Sequence, residues 1–145
     1  MFLIDTNIFL ELVLDQEKAE DCASFLTTVS EAKADAVVTH FTIHAVEASL
    51  GKGDRLTKFL RNIESSQGLR VLDTSVSEEA STAAQSDKIG KLDFDDAVQY
   101  FAAKKSGSSA IVSFDRHFDG LDLPRVTPGE ALKRSSEKYR SPGRS

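Results

Sequence analysis

Short apolar runs alternate along this chain with longer stretches in which apolar residues return every three or four positions. Phe2-Leu3-Ile4 is a continuous apolar triplet ending at Asp5 and reads as a buried strand. Asn7 or Thr6 can cap the next segment, 8–14, whose Ile8/Leu12 and Phe9/Val13 pairs have helical spacing. Residues from 16 to about 30 form a second amphipathic helix with Ala19, Ala23 and Leu26 inward. Ala36-Val37-Val38 is the second strand, and Thr39 caps a helix reaching about Leu50, where Gly51-Lys52-Gly53 breaks it. Leu56, Phe59, Leu60 and Ile63 mark another helix over about 54–65. Arg70-Val71-Leu72 is a third strand, followed by helices near 77–89 and 94–105. Ala110-Ile111-Val112 is a fourth strand, Arg125-Val126 a weak fifth, and Pro128 opens a last short helix.

Strands separated by helices predict an α/β fold, a three-layer α/β/α sandwich with a central parallel sheet covered on both faces. The 145 residues fit one domain and show no internal repeat or linker. That domain is expected over residues 1–134, with a basic, disordered tail over 135–145.

Charge sharpens the division. The chain has 18 Lys and Arg against 23 Asp and Glu, a net charge of −5. Residues 133–145 nonetheless carry Lys133, Arg134, Lys138, Arg140 and Arg144 against Glu137 alone, so the body is acidic and the end basic. Such an end could touch nucleic acid or an acidic partner, or simply solubilise the chain. Apolar residues at 40% and charged residues at 28% fit a soluble globular protein and exclude a disordered one. No apolar run approaches the roughly 18 residues a membrane span needs. The opening has no basic segment before its apolar residues, so a secretory signal is not expected. Cys22, the one cysteine, excludes an intrachain disulfide and a four-cysteine zinc site, and a reducing cytoplasmic location is the default expectation.

Four acids draw attention by position. Asp5 ends the first strand, and in open parallel sheets ligands bind beyond the carboxyl ends of the strands. Ser113 and Asp115 follow the fourth strand in the same topological place. Asp93, Asp95 and Asp96 cluster where the 94–105 helix begins, and Glu47 lies in the otherwise apolar stretch Ile43-His44-Ala45-Val46-Glu47-Ala48. Each has a plain alternative. Asp93 is most simply a helix N-cap, with Asp96 at the third helical position, where an acid suits the helix dipole. Asp115 could cap the turn after it, Asp95 is a surface acid, and Asp5 could pair with a lysine. Their joint occurrence at one sheet edge is the informative fact.

Leu3-Ile4-Asp5-Thr6-Asn7-Ile8-Phe9-Leu10-Glu11 resembles the opening motif of the PIN domain (PilT N-terminus) nucleases. Glu47 resembles that family's second acid, Asp96-Ala97 its third motif, and Ser113-Phe114-Asp115-Arg116-His117-Phe118 its fourth. The resemblance spans residues 1 to about 132 and is nearest to the small prokaryotic members, including VapC-type toxins of toxin–antitoxin pairs. It implies the strand order 3-2-1-4-5, which sets Asp5 beside Asp115. It further implies Mg²⁺ or Mn²⁺ and endonucleolytic cleavage of RNA, with homodimers and a cognate antitoxin as family habits. Within it, Asp5, Asp96 and Asp115 hold metal directly or through water, Glu47 holds metal or orients the attacking water, and Asn7 and Ser113 position ligands. Asp93 and Asp119 are supporting candidates.

The chemistry explains the grouping. Two carboxylates about 4 Å apart repel by about 4 kcal/mol at an effective dielectric near 20. Hard divalent cations relieve this through oxygen ligands, and can activate water and stabilise the leaving oxygen of a phosphodiester. A metal also reverses the local sign that would otherwise repel RNA from an acidic body.

Lys52, Arg55, Lys58 and Arg61 recur every third residue, and Lys104 and Lys105 close a later helix; they are phosphate contacts or a solvated face. His40, His44 and Glu47 have spacing that can place zinc ligands on one helix face, but Phe41 stands where the zincin pattern needs Glu, so packing or hydrogen bonding is expected. His117 is expected at the surface. Phe9, Phe41, Phe59, Phe94, Phe101 and Phe118 fall at core-facing spacings.

A metal-dependent ribonuclease, the toxin of such a pair, is therefore the leading expectation. One alternative is a non-catalytic scaffold of the same fold that binds RNA or protein. Another is an aspartyl-phosphate phosphatase of the haloacid dehalogenase type, which wants a second Asp where Asn7 stands.

Overall fold

Within β1 (Phe2–Ile4), Phe2 and Ile4 enter one apolar cluster and Leu3 another, because successive side chains of a strand leave on opposite faces. The same alternation splits Val37 from Val38 and Ile111 from Val112. Two cores, one on each face of a sheet, are the physical content of three layers. The computed structural model describes residues 1–89 and 92–140. After β1 come α1 (Thr6–Val13), α2 (Ala19–Ser30), β2 (Ala36–Thr39), α3 (His40–Leu50), α4 (Asp54–Ser65), β3 (Leu69–Leu72) and α5 (Val76–Ile89). Then follow α6 (Phe94–Ser106), β4 (Ala110–Val112), a 3₁₀ turn (Arg116–Phe118), β5 (Arg125–Val126) and α7 (Pro128–Arg140).

The five strands form one sheet in the order β3-β2-β1-β4-β5, and every pairing is parallel. Phe2, Leu3 and Ile4 pair with Ala110, Ile111 and Val112, so both strands end level with each other. Asp5 donates its backbone N–H to the Val112 carbonyl at 3.0 Å. This register sets the residues after Ile4 and after Val112 side by side.

The larger core holds Phe2, Ile8, Phe9, Phe25, Val29, Val38 and Val46, with Phe2 against Phe25 and Phe9 against Phe59 edge-on at 5.9 Å. The opposite core is thinner: Ala97, Ala102 and Ala103 of α6 lie on Leu3, Val37 and Ile111. Small residues on α6 let its backbone approach the sheet closely. Gly68 is required where the chain turns into β3, because a Cβ there would stand 2.4 Å from the Ala34 carbonyl oxygen. Cys22 is buried, and burial pushes its thiol up to about 11, so it is an inert core residue.

Two expectations need correction. The cap of α1 is Asp5, whose side chain accepts from the Thr6 N–H, and neither Thr6 nor Asn7 holds that place. The last helix is longer than expected: α7 continues through residues 135–140, the first six residues read as tail. Ser135 is buried and bonds the Ala131 carbonyl, and Ala131 and Leu132 pack into the larger core, which holds this helix in register. Residues 141–145 of the expected tail lie outside the described residues.

Candidate metal centre

Asp5 follows β1 directly and is 6% exposed, so its carboxyl is a buried group that must find partners. One oxygen accepts from the Thr6 backbone N–H at 2.8 Å and from Gln99 Nε2 at 3.4 Å. The other accepts from Ser113 Oγ at 2.7 Å. Burial is the main cause that raises its pKa, and the Asp115 charge adds to it, while the hydrogen bonds oppose. Its place at the start of α1 adds the positive end of a helix dipole.

Ser113 is fully buried at the end of β4 and is the hub between the two strand ends. Its hydroxyl donates to Asp5 and accepts from Asn7 Nδ2 at 3.1 Å and from the Asp115 N–H at 2.9 Å. Asn7 reaches the same loop a second time, accepting from the Phe114 N–H at 3.4 Å. Thus the opening motif and the fourth motif, 106 residues apart, are held together by side-chain bonds.

Asp96 arrives from the third side. Asp93 caps α6, accepting from the Asp96 N–H at 3.2 Å, and this places Asp96 in the first turn of the helix. Its pKa is raised to about 7, first by desolvation and then by the charges of Asp93, Asp115 and Asp5. Asp115 caps the 3₁₀ turn through the His117 N–H at 2.9 Å. His117 Nδ1 then stands 3.2 Å from Asp115 and 3.6 Å from Asp96. One ligand atom each from Asp96, Asp115 and His117 lies within 4.8 Å of the others, a donor set of two carboxylates and an imidazole that fits a divalent cation.

The structure therefore draws Asp5, Asp96 and Asp115 together, with Asn7 and Ser113 bonded between the two strand ends and Asp93 capping the helix that carries Asp96. Glu47 is placed differently. It is half-buried on α3, with its carboxylate 2.7 Å from His44 Nδ1. His40 makes the matching contact with Asp73 at 2.6 Å, and the two imidazoles stack at 4.6 Å, in line with hydrogen-bonding roles. The Asp119 carboxylate is gripped by Arg125 at 2.8 Å. Lys104 and Lys105 pair with Asp122 and Glu78, Arg61 faces Glu64 at 3.8 Å, and Arg55 bonds the Val13 carbonyl. Phe9, Phe59 and Phe118 are buried as expected, whereas Phe41, Phe94 and Phe101 are half-buried.

Sequence reasoning missed two residues. His117 is exposed, as expected, yet its ring also meets Asp115, two positions back across a short turn, and Asp96. Gln99 lies on the inner face of α6, 2% exposed and one turn beyond Asp96. Its amide nitrogen reaches Asp5, Thr6 Oγ1 at 3.2 Å and Thr42 Oγ1 at 2.5 Å, while its oxygen accepts from Thr39 at 3.1 Å. A buried polar residue at helical spacing from an acid is the signal that could have found it. Gln99→Leu is expected to cost about 1–3 kcal/mol of stability, read by denaturant unfolding, because it strips partners from several buried groups at once.

The profile of the PIN domain family matches residues 2–123 of the chain. No curated protein matches it.

Proposed function

The chain belongs to the PIN domain family, and from that premise we propose that it is an endoribonuclease, the toxin of a type II toxin–antitoxin pair, using Mg²⁺ or Mn²⁺. PIN domains are generally metal-dependent nucleases, and the acid cluster is where this chain could hold the ion. The observation that carries the reading is the meeting of Asp96, Asp115 and His117 beside buried Asp5 at the carboxyl edge of the sheet.

A divalent ion bound there supplies charge for the scissile phosphate and activation of the attacking water. The chain's own part is to hold the ligands. Ser113 and Asn7 lock the Asp5 and Asp115 loops, Gln99 fixes Asp5 from the interior, and Asp93 sets the first turn of α6. Glu47 would have to release His44 before it could hold the ion or orient the water. Together these bonds prepay the orientation of the carboxylates.

A second feature supports the toxin reading. A groove of about 620 Å³ runs between α1, α2 and α4, with Phe9, Leu12, Leu26, Phe59 and Ile63 in its wall and Arg55 and Lys58 among its polar lining. Its apolar wall suits an amphipathic helix of an antitoxin.

The test is cleavage mapping on total RNA with the purified chain, with Mn²⁺ or with EDTA, against Asp5→Asn and with DNA as a parallel substrate. RNA cuts at defined sites that vanish with EDTA and in Asp5→Asn are expected. A flat result with Mn²⁺ would return the chain to the non-catalytic scaffold, and cleavage of DNA alone would overturn the ribonuclease assignment.

A further inference from the structure

The donor set described above contains a nitrogen, and this has a consequence for which ion the centre takes. We propose that His117 ligates the metal through Nδ1, so that the centre selects first-row transition ions over Mg²⁺. The inference rests on the metal-centre reading above and deepens it.

Three observations converge. The first is spacing. Neighbouring ligands of an octahedral ion with bonds of about 2.1 Å lie about 3 Å apart. His117 Nδ1 stands 3.2 Å from Asp115 Oδ1 and 3.6 Å from Asp96 Oδ2, close to that separation. The second is orientation. The Asp115 carboxylate accepts the His117 backbone N–H at 2.9 Å, which fixes the main chain from which the imidazole projects beside the acid. Buried Phe118 anchors the far end of the same turn. The third is accessibility. The His117 side chain is 66% exposed, whereas that of Asp96 is 15% exposed, so the imidazole covers the cluster from the solvent side. It can exchange its carboxylate contacts for a metal without repacking the core.

Imidazole nitrogen is a softer donor than carboxylate or water. It favours ions in the order Mn²⁺ below Co²⁺ below Ni²⁺, whereas Mg²⁺ prefers an all-oxygen shell and keeps its waters. An all-carboxylate centre climbs that series less steeply than one containing His117.

The experiment uses the full chain carrying His40→Ala and His44→Ala, which removes the stacked imidazole pair as a competing nitrogen source. Titration calorimetry with Mg²⁺ and with Co²⁺ is compared with and without His117→Ala, and pulsed electron paramagnetic resonance on the Mn²⁺-loaded protein reads coupling to ¹⁴N. Loss of His117 is expected to weaken Co²⁺ by about 10–100-fold, to leave Mg²⁺ nearly unchanged, and to abolish the ¹⁴N coupling. A His117 acting only as an ion-pair partner would give no ¹⁴N coupling in the first place, and that result overturns the proposal. Equal weakening of both metals would overturn it as well. If Co²⁺ and Mg²⁺ bind as before without His117 but fail in Asp96→Asn, this inference falls while the acid centre stands. If neither ion binds the chain with His117 present, the metal-centre reading falls with it.

Discussion

Asp5→Asn should yield a folded protein that cleaves phosphodiesters at least about 10³-fold more slowly, since the ion's charge stabilisation is worth several kcal/mol in the transition state. The substitution is chosen to separate chemistry from folding. Asn has the shape of Asp and keeps one oxygen, so the Thr6 N–H and Gln99 amide keep an acceptor, while the Ser113 hydroxyl, which already accepts from Asn7 and Asp115, gives up its bond to the second oxygen. What disappears is a buried negative charge whose ionised form the fold already disfavours. That gain offsets the lost Ser113 bond, so the fold should persist with little net change in stability. Asp5→Ala would be a poorer probe, because it strips the acceptor from the Thr6 N–H and Gln99 as well as from the fully buried Ser113. Cleavage by the Asn variant at the original rate, with its circular dichroism unchanged, would remove Asp5 from the mechanism.

How far the sequence foretold this site depends on what kind of physics each residue obeys. Strand triplets such as Phe2-Leu3-Ile4 and Ala110-Ile111-Val112 are legible because burial on both faces leaves no room for polar residues. The order of strands was not read from those triplets; it came from the family resemblance, and the register of β1 against β4 confirms it. Asp5 is legible as a candidate site residue but not as the cap of α1, since local pattern rules assign one carboxylate a single role. His117 and Gln99 depend on contacts across 21 and 94 positions, which no window on the chain contains. Glu47 was expected in the cluster on motif grounds, and its bond to His44 is a local pairing of positions three apart that the same sequence already encodes. The length of α7 follows from packing on α2 and the core, whereas its composition is that of a solvated tail.

Divalent ions should raise the melting temperature of the chain far more at pH 8 than at pH 5. The unfolded chain releases the Asp96 proton near the ordinary 3.8, while the folded chain holds it up to about 7. Between those values the native state binds more protons, so in protein stripped of divalent ions this group lowers stability as pH rises, with the full cost present above about 7. Asp5 shifts in the same direction. Metal binding requires both groups ionised, so it competes with the protons that it must displace. At a metal concentration a hundred times the dissociation constant, linkage contributes about 2.7 kcal/mol. For a chain of this size that is a rise of about 5–10 °C. Asp96→Asn should behave oppositely in both arms. Without divalent ions it should melt higher than wild type at pH 8, having lost the like-charge repulsion, and metal should no longer shift it. Differential scanning calorimetry at pH 5 and pH 8, with and without Mn²⁺, reads all four conditions for each protein. Equal metal-induced shifts at the two pH values, or an Asp96→Asn variant that still responds fully to Mn²⁺, would mean that the carboxylate on α6 does not face the ion.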